Sequence, residues 1–111
     1  MRTLENASPY TLTATNANEP ASERTRRFLA EQREKWTQLP PVYAVIDNER
    51  LLIVDGNHRR DFAESEGLSL PEVVVLETDD DWNEAKKKLG TAYGKITTLD
   101  QLRRIISRRT T

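Results

Sequence analysis

The chain has 111 residues, enough for one domain with a modest core, and its 32% charged against 36% hydrophobic residues describe a small, well-solvated globule. It contains no cysteine, which excludes disulfides, thiolate nucleophiles and cysteine-ligated zinc. The net charge of −1 conceals an uneven distribution: residues 41–90 carry six basic and twelve acidic side chains, whereas residues 91–111 carry five basic ones against Asp100 alone.

Residues 1–21 are rich in Thr, Asn, Ala and Pro and are expected to form a loosely held arm, with a short strand over 10–13. Residues 22–111 are expected to form the single folded domain. Ser22 offers an N-cap for a helix over 23–36, with Phe28, Leu29, Gln32 and Trp36 on one side of it. Pro40-Pro41 stops that helix and starts an extended segment. Alternation at Val42, Ala44 and Ile46, the turn Asp47-Asn48-Glu49 and the run Leu51-Leu52-Ile53-Val54 predict a β-hairpin. Gly56 breaks it, and a short helix over 59–66 follows, burying Phe62 and Ala63 and stopped by Gly67. After Pro71, the run Val73-Val74-Val75-Leu76 predicts a central strand buried on both faces.

Thr78 with Asp79-Asp80-Asp81 marks the start of the next helix, and Lys86-Lys87-Lys88 with Gly90 marks its end. Trp82, Ala85 and Leu89 form its inner face. Thr98 stands three residues before Gln101, a capping-box spacing that opens a last helix with Leu99, Leu102, Ile105 and Ile106 turned inward. The order predicts an α+β class: a small mixed sheet flanked by helices. The apolar runs are too short to cross a bilayer and the N-terminus lacks a signal-peptide pattern, so the expectation is a cytoplasmic protein without a membrane partner.

Chemistry concentrates in Asp55-Gly56-Asn57-His58-Arg59, between an apolar strand and an amphipathic helix. Gly56 permits a sharp turn and close approach to a ligand. The first amides of the following helix, Asn57 included, face outward and favour an anion. His58 is suited to donate to a phosphate oxygen or to move a proton near neutral pH, and Arg59 carries a planar fork that matches phosphate. The bland alternative is an ordinary turn with surface charges.

The stretch LLIVDGNHRRDFAESEGLSLPEVVVLE resembles the ParB/sulfiredoxin superfamily, whose layout is strand, Gly-x-His-Arg or Gly-Glu-Arg-Arg loop, helix, Gly and a further apolar strand after Pro. The resemblance covers residues 22–90. It implies a ParB/sulfiredoxin-like fold with a phosphate held by Gly56, His58 and Arg59. Asn57 stands where sulfiredoxin has its catalytic cysteine, so sulfinic-acid reduction is excluded. The downstream Glu-Asn-x-x-Arg motif of the partition proteins has no counterpart, and too little chain follows Gly90 for their helix-turn-helix region.

The loop is also similar to that of superfamily members acting as small-molecule kinases, which need a carboxylate base and magnesium. The resemblance then casts Asp55 as catalytic and as a Mg²⁺ ligand with a nucleoside tri- or diphosphate. Arg24, Arg27 and Glu31 share one helix face by spacing. In the family's layout that face looks toward the loop, making Arg24 and Arg27 phosphate contacts and Glu31 a candidate base. A solvated face for those three, and a turn-forming side chain for Asp55, are the structural alternatives.

Glu84-Ala85-Lys86 after the Asp run imitates a nuclease pattern, but one helix carries them all, and a single histidine excludes a His-Asn-His metal site. Two main functional readings stay open, beside an inactive relative kept for protein–protein contact. One is a protein binding a nucleotide or phosphorylated small molecule, with a phosphotransferase or nucleotidase activity at the DGNHR loop. The other is a non-catalytic partition or regulatory module whose basic C-terminal helix, with Arg103, Arg104, Arg108 and Arg109, engages DNA or a protein.

Overall fold

Alternating apolar residues build the central hairpin of a computed structural model that describes residues 1–15, 21–90 and 93–110. Its strands, β3 (Val42–Asp47) and β4 (Arg50–Asp55), are joined by Asn48 and Glu49, both with positive φ (49° and 69°). That is the mirror-image turn whose twist matches a two-residue hairpin. Near its open end the register shifts between Tyr43 and Ala44, which face Asp55 and Ile53, so Val54 is the extra residue of a bulge.

The strands form one five-stranded mixed sheet in the order β1-β5-β3-β4-β2, where β1 is Arg2–Ala7, β2 is Leu12–Thr13 and β5 is Leu70–Leu76. β5 runs parallel to β3 and is enclosed by β1 and β3. Val73 to Leu76 are all buried, as the unbroken apolar run requires.

Among the described residues four α-helices cover the sheet. α1 (Glu23–Glu31) and α2 (Asn57–Glu66) lie on one face, where Leu29, Trp36, Val42, Ala44, Ile53, Ala63 and Val73 pack. α3 (Asp79–Leu89) and α4 (Leu99–Ser107) lie on the other, where Trp82, Leu102 and Ile106 meet Val45, Leu52 and Leu76. No described helix is long and apolar enough to cross a membrane.

The loosely held arm is corrected for its described part. β1 pairs antiparallel with β5 from Arg2–Val75 to Ala7–Leu70, and β2 pairs parallel with β4. One short segment therefore supplies both sheet edges, and backbone pairing holds it where apolar content is low. Buried Leu12 fixes its far end. Residues 16–20, the rest of that arm, lie outside the described residues. The helix expected over 23–36 is shorter too: it ends at Glu31, and a kinked 3-10 segment, Arg33–Gln38, seats Trp36 with its Nε1 on the Ser69 carbonyl at 2.7 Å. α2 begins two residues earlier than expected, at Asn57.

The caps of α3 and α4 are full capping boxes, Thr78 with Asp81 and Thr98 with Gln101. Burial raises the Asp81 carboxyl, but backbone donors from Glu77 (2.9 Å) and Thr78 (3.1 Å) and the Met1 ammonium (3.2 Å) outweigh it and hold it below the usual carboxylate range. A depressed carboxylate stabilises the fold above its ordinary pKa, and that contribution is lost as pH falls through the folded value. Asp81→Asn is therefore expected to cost about 1 kcal/mol at pH 7. In urea melts the gap to the parent protein should narrow below about pH 4. A gap that widens in acid would contradict this account.

Candidate functional site

The bulge at Val54 turns the end of β4 outward, and the chain swings into α2 through Gly56 at φ +118°. A side chain there is impossible without rearrangement, because a Cβ would lie 2.7 Å from Cγ2 of Val42. Glycine thus lets the start of α2 pack directly on β3. Having no side chain, Gly56 does not cap the helix, and among the described residues none supplies an acceptor to the amides of Asn57, His58 or Arg59. These amides form the electropositive end of a ten-residue helix.

This end opens on a cavity of about 410 Å³. The whole loop from Asp55 to Arg59 lines it. Thr25, Phe28 and Leu29 of α1 form one wall, and Tyr93 and Arg109 reach it from the far end of the chain.

Each expected site residue has a definite place. His58 is half-buried, and its Nδ1 is buried with no hydrogen-bond partner. With Nδ1 unpartnered inside, hydrogen bonding to a ligand falls to Nε2. Asp55 is half exposed at the cavity, its Oδ2 3.8 Å from Arg59 Nη2.

Arg59 departs from expectation. Its Nη1 donates to the Pro40 carbonyl and its Nη2 to the Pro41 carbonyl at 3.1 Å, with the side chain only 17% exposed. Burial lowers its pKa, with Asp55 and Tyr43 opposing. The bidentate fork expected to clasp phosphate is already engaged, so Arg59 contributes charge at the wall and pins the 40–41 segment to α2.

Asn57 is likewise engaged. Its Oδ1 accepts from the Thr15 amide at 2.8 Å, and its Nδ2 donates to the Thr15 hydroxyl at 2.9 Å. That hydroxyl donates onward to the Ile53 carbonyl at 2.8 Å. The side chain ties the N-terminal segment to the loop, leaving the Asn57 amide for a ligand.

Arg24, Arg27 and Glu31 do not line the cavity. Buried Leu29 sets the rotation of α1, so Thr25, Phe28 and Leu29 face the loop and the charged stripe is exposed. Arg27 pairs with Glu23 at 3.0 Å on that solvated face. The expectation that this stripe looks at the loop is thereby corrected.

Sequence reading missed Arg109 and Tyr93. The sequence places Arg109 only in a basic C-terminal segment suited to DNA or a protein, and its position beside α1 follows from topology. Tyr93 is anchored by its hydroxyl, which donates to the Val54 carbonyl at 3.0 Å, and its ring packs edge-on against Trp82. Phe28, on the same side of the helix as buried Leu29, is 55% exposed at the cavity wall.

The cavity thus joins free helix amides, an imidazole, two arginine charges and two aromatic rings, a set that suits an anion attached to a flat ring system. Compared with models of known families and with curated proteins, the chain matches none.

Proposed function

We propose that this cavity binds a nucleotide or a similar phosphorylated small molecule, with the phosphate at the start of α2. The observation that carries the reading is the unpartnered helix N-terminus opening, with His58 and Arg109, into one cavity of about 410 Å³. In this reading the amides of Asn57, His58 and Arg59 and His58 Nε2 hold the phosphate oxygens. Arg109 neutralises the outer charge, and Arg59 adds field without direct bonding. The order β4, Gly56, α2 with Ala63, Gly67, Pro71 and β5 supports a ParB/sulfiredoxin-like relationship, which we propose alongside it.

Among the described residues no three His, Asp or Glu side chains form a metal cage. The donor set suits a Mg²⁺ arriving with the nucleotide, because that ion commonly takes one or two carboxylates plus phosphate oxygens and water. Asp55 is the carboxylate that would hold it, and the ion would neutralise phosphate charge there. The alternative is a non-catalytic partition or regulatory module that engages DNA or a protein through the basic C-terminal segment and turns nothing over.

Thermal melts with ATP, CTP, ADP and inorganic phosphate, with and without magnesium, test the reading. A ligand at a hundred times its Kd is expected to add about 2.7 kcal/mol of stability. His58→Ala and Arg109→Ala should remove most of the gain while leaving the unliganded melt nearly unchanged. Phosphate release would mark a phosphotransferase or nucleotidase; stabilisation without release would mark a binding module. No response to any of these ligands, or a response unaltered by both substitutions, would overturn the proposal.

A further inference from the structure

Phe28 is 55% exposed on the cavity wall, an unusual position for a ring on the cavity-facing side of a helix. Around it lie more cations than one small anion needs. Arg24 stands one turn before it on the same helix, and Arg109, with its neighbour Arg108, approaches from the C-terminal end across the same cavity. All three are exposed, and none forms an ion pair among the described residues. Of the acidic groups nearby, Glu23 is engaged by Arg27 and Asp55 by Arg59, while Glu31 stands exposed one turn after Phe28. Arg24 and Arg108 do not line the cavity, so a mononucleotide inside it would not meet them. A chain of phosphates crossing the mouth would.

On the footing that the cavity takes phosphate, we infer that its ligand is a single-stranded polynucleotide. One phosphate sits at the start of α2, a base stacks on Phe28, and the flanking backbone runs past Arg24 and Arg108. An exposed aromatic ring set among unpaired arginines is the chemistry that recognises unstacked bases on a polyanion. A duplex hides its base faces and has no use for Phe28. Tyr93, half-buried at the inner wall, gives the stacked base a second apolar surface.

The test is fluorescence anisotropy of the full chain with labelled twelve-nucleotide single strands, one DNA and one RNA, beside a duplex of the same length. Single strands are expected to bind with a log–log salt slope that loses about 0.7 for each arginine removed. Phe28→Ala should weaken single-strand binding about fivefold to hundredfold, and Phe28→Trp should restore it. Because the ring is mostly exposed, Phe28→Ala should melt close to the parent protein, which separates lost stacking from lost folding. Three results would overturn the inference: duplex bound as well as single strand, Phe28→Ala without effect, or single strands bound no better than a mononucleotide. If mononucleotides still stabilise the protein in the last case, the phosphate site stands and the polynucleotide falls. If neither binds, both fall. Preference for RNA or for DNA would identify the strand.

Discussion

Gly56→Ala is expected to be among the most damaging single methyl additions in this protein. Two costs combine at that position. A side chain at φ +118° leaves the favourable regions for L-residues, which costs about 1–3 kcal/mol. The new Cβ also enters the Val42 side chain at 2.7 Å, and relieving such a collision typically costs about another 1–3 kcal/mol. Against the few to fifteen kcal/mol that stabilise domains of this size, the sum of about 2–6 kcal/mol should lower the melting temperature by more than about 10 °C. Gly67→Ala provides the contrast. Its φ is also positive (+68°), but nothing lies within 4 Å of the added atom, so only the backbone cost of about 1–2 kcal/mol applies. Val42→Ala introduced into Gly56→Ala should recover part of the loss, because it removes the atoms that collide. Equal melts for Gly56→Ala and Gly67→Ala would show that the close approach of α2 to β3 is misjudged.

Arg59→Ala is expected to destabilise the protein in the absence of any ligand. The guanidinium holds the Pro40 and Pro41 carbonyls and lies 3.8 Å from Asp55, joining the entry of β3 to the first turn of α2. Hydrogen bonds from a charged donor contribute about 1.5–3 kcal/mol each when partly buried, and water at the exposed Pro40 replaces some of that, leaving a loss of about 2–3 kcal/mol. Arg59→Lys retains the charge but lacks the fork, and a single ammonium cannot span both carbonyls in the same geometry. Its melt should lie between those of Arg59→Ala and the parent. An arginine kept solely to bind phosphate would behave differently: its removal would leave the unliganded melt unchanged and abolish only the ligand response. Chemical denaturation of the three proteins without ligand decides between these roles.

Elements marked by strong local signals were legible in the sequence. The α3 and α4 boundaries followed from Thr78, Thr98 and their partners three residues on, because a capping box is a local device. The hairpin and buried β5 followed from apolar patterning. β1 was not legible: Arg2 to Ala7 has little apolar periodicity, since an edge strand is half solvated and draws its order from β5.

The candidate site divides along the same line. The loop could be read because Gly56 separates two clear patterns. What each side chain does there could not, because the partners lie far off in sequence. Thr15 occupies Asn57 across 42 residues, and the Pro40 and Pro41 carbonyls occupy Arg59 across 19 and 18. Periodicity placed Arg24, Arg27 and Glu31 on one stripe of α1 but could not state where that stripe points. Leu29 decides that by burial. Arg109 reaches the cavity through tertiary folding alone.

Backbone amide resonances followed during a titration with magnesium-bound nucleotide examine the start of α2 directly. Saturable shifts centred on the amides of Asn57, His58 and Arg59, with the His58 ring and the Arg109 amide moving in step, are the expected outcome. A spectrum that stays still at millimolar ligand, or one whose shifts gather on a different surface while these amides remain fixed, would contradict a phosphate site there.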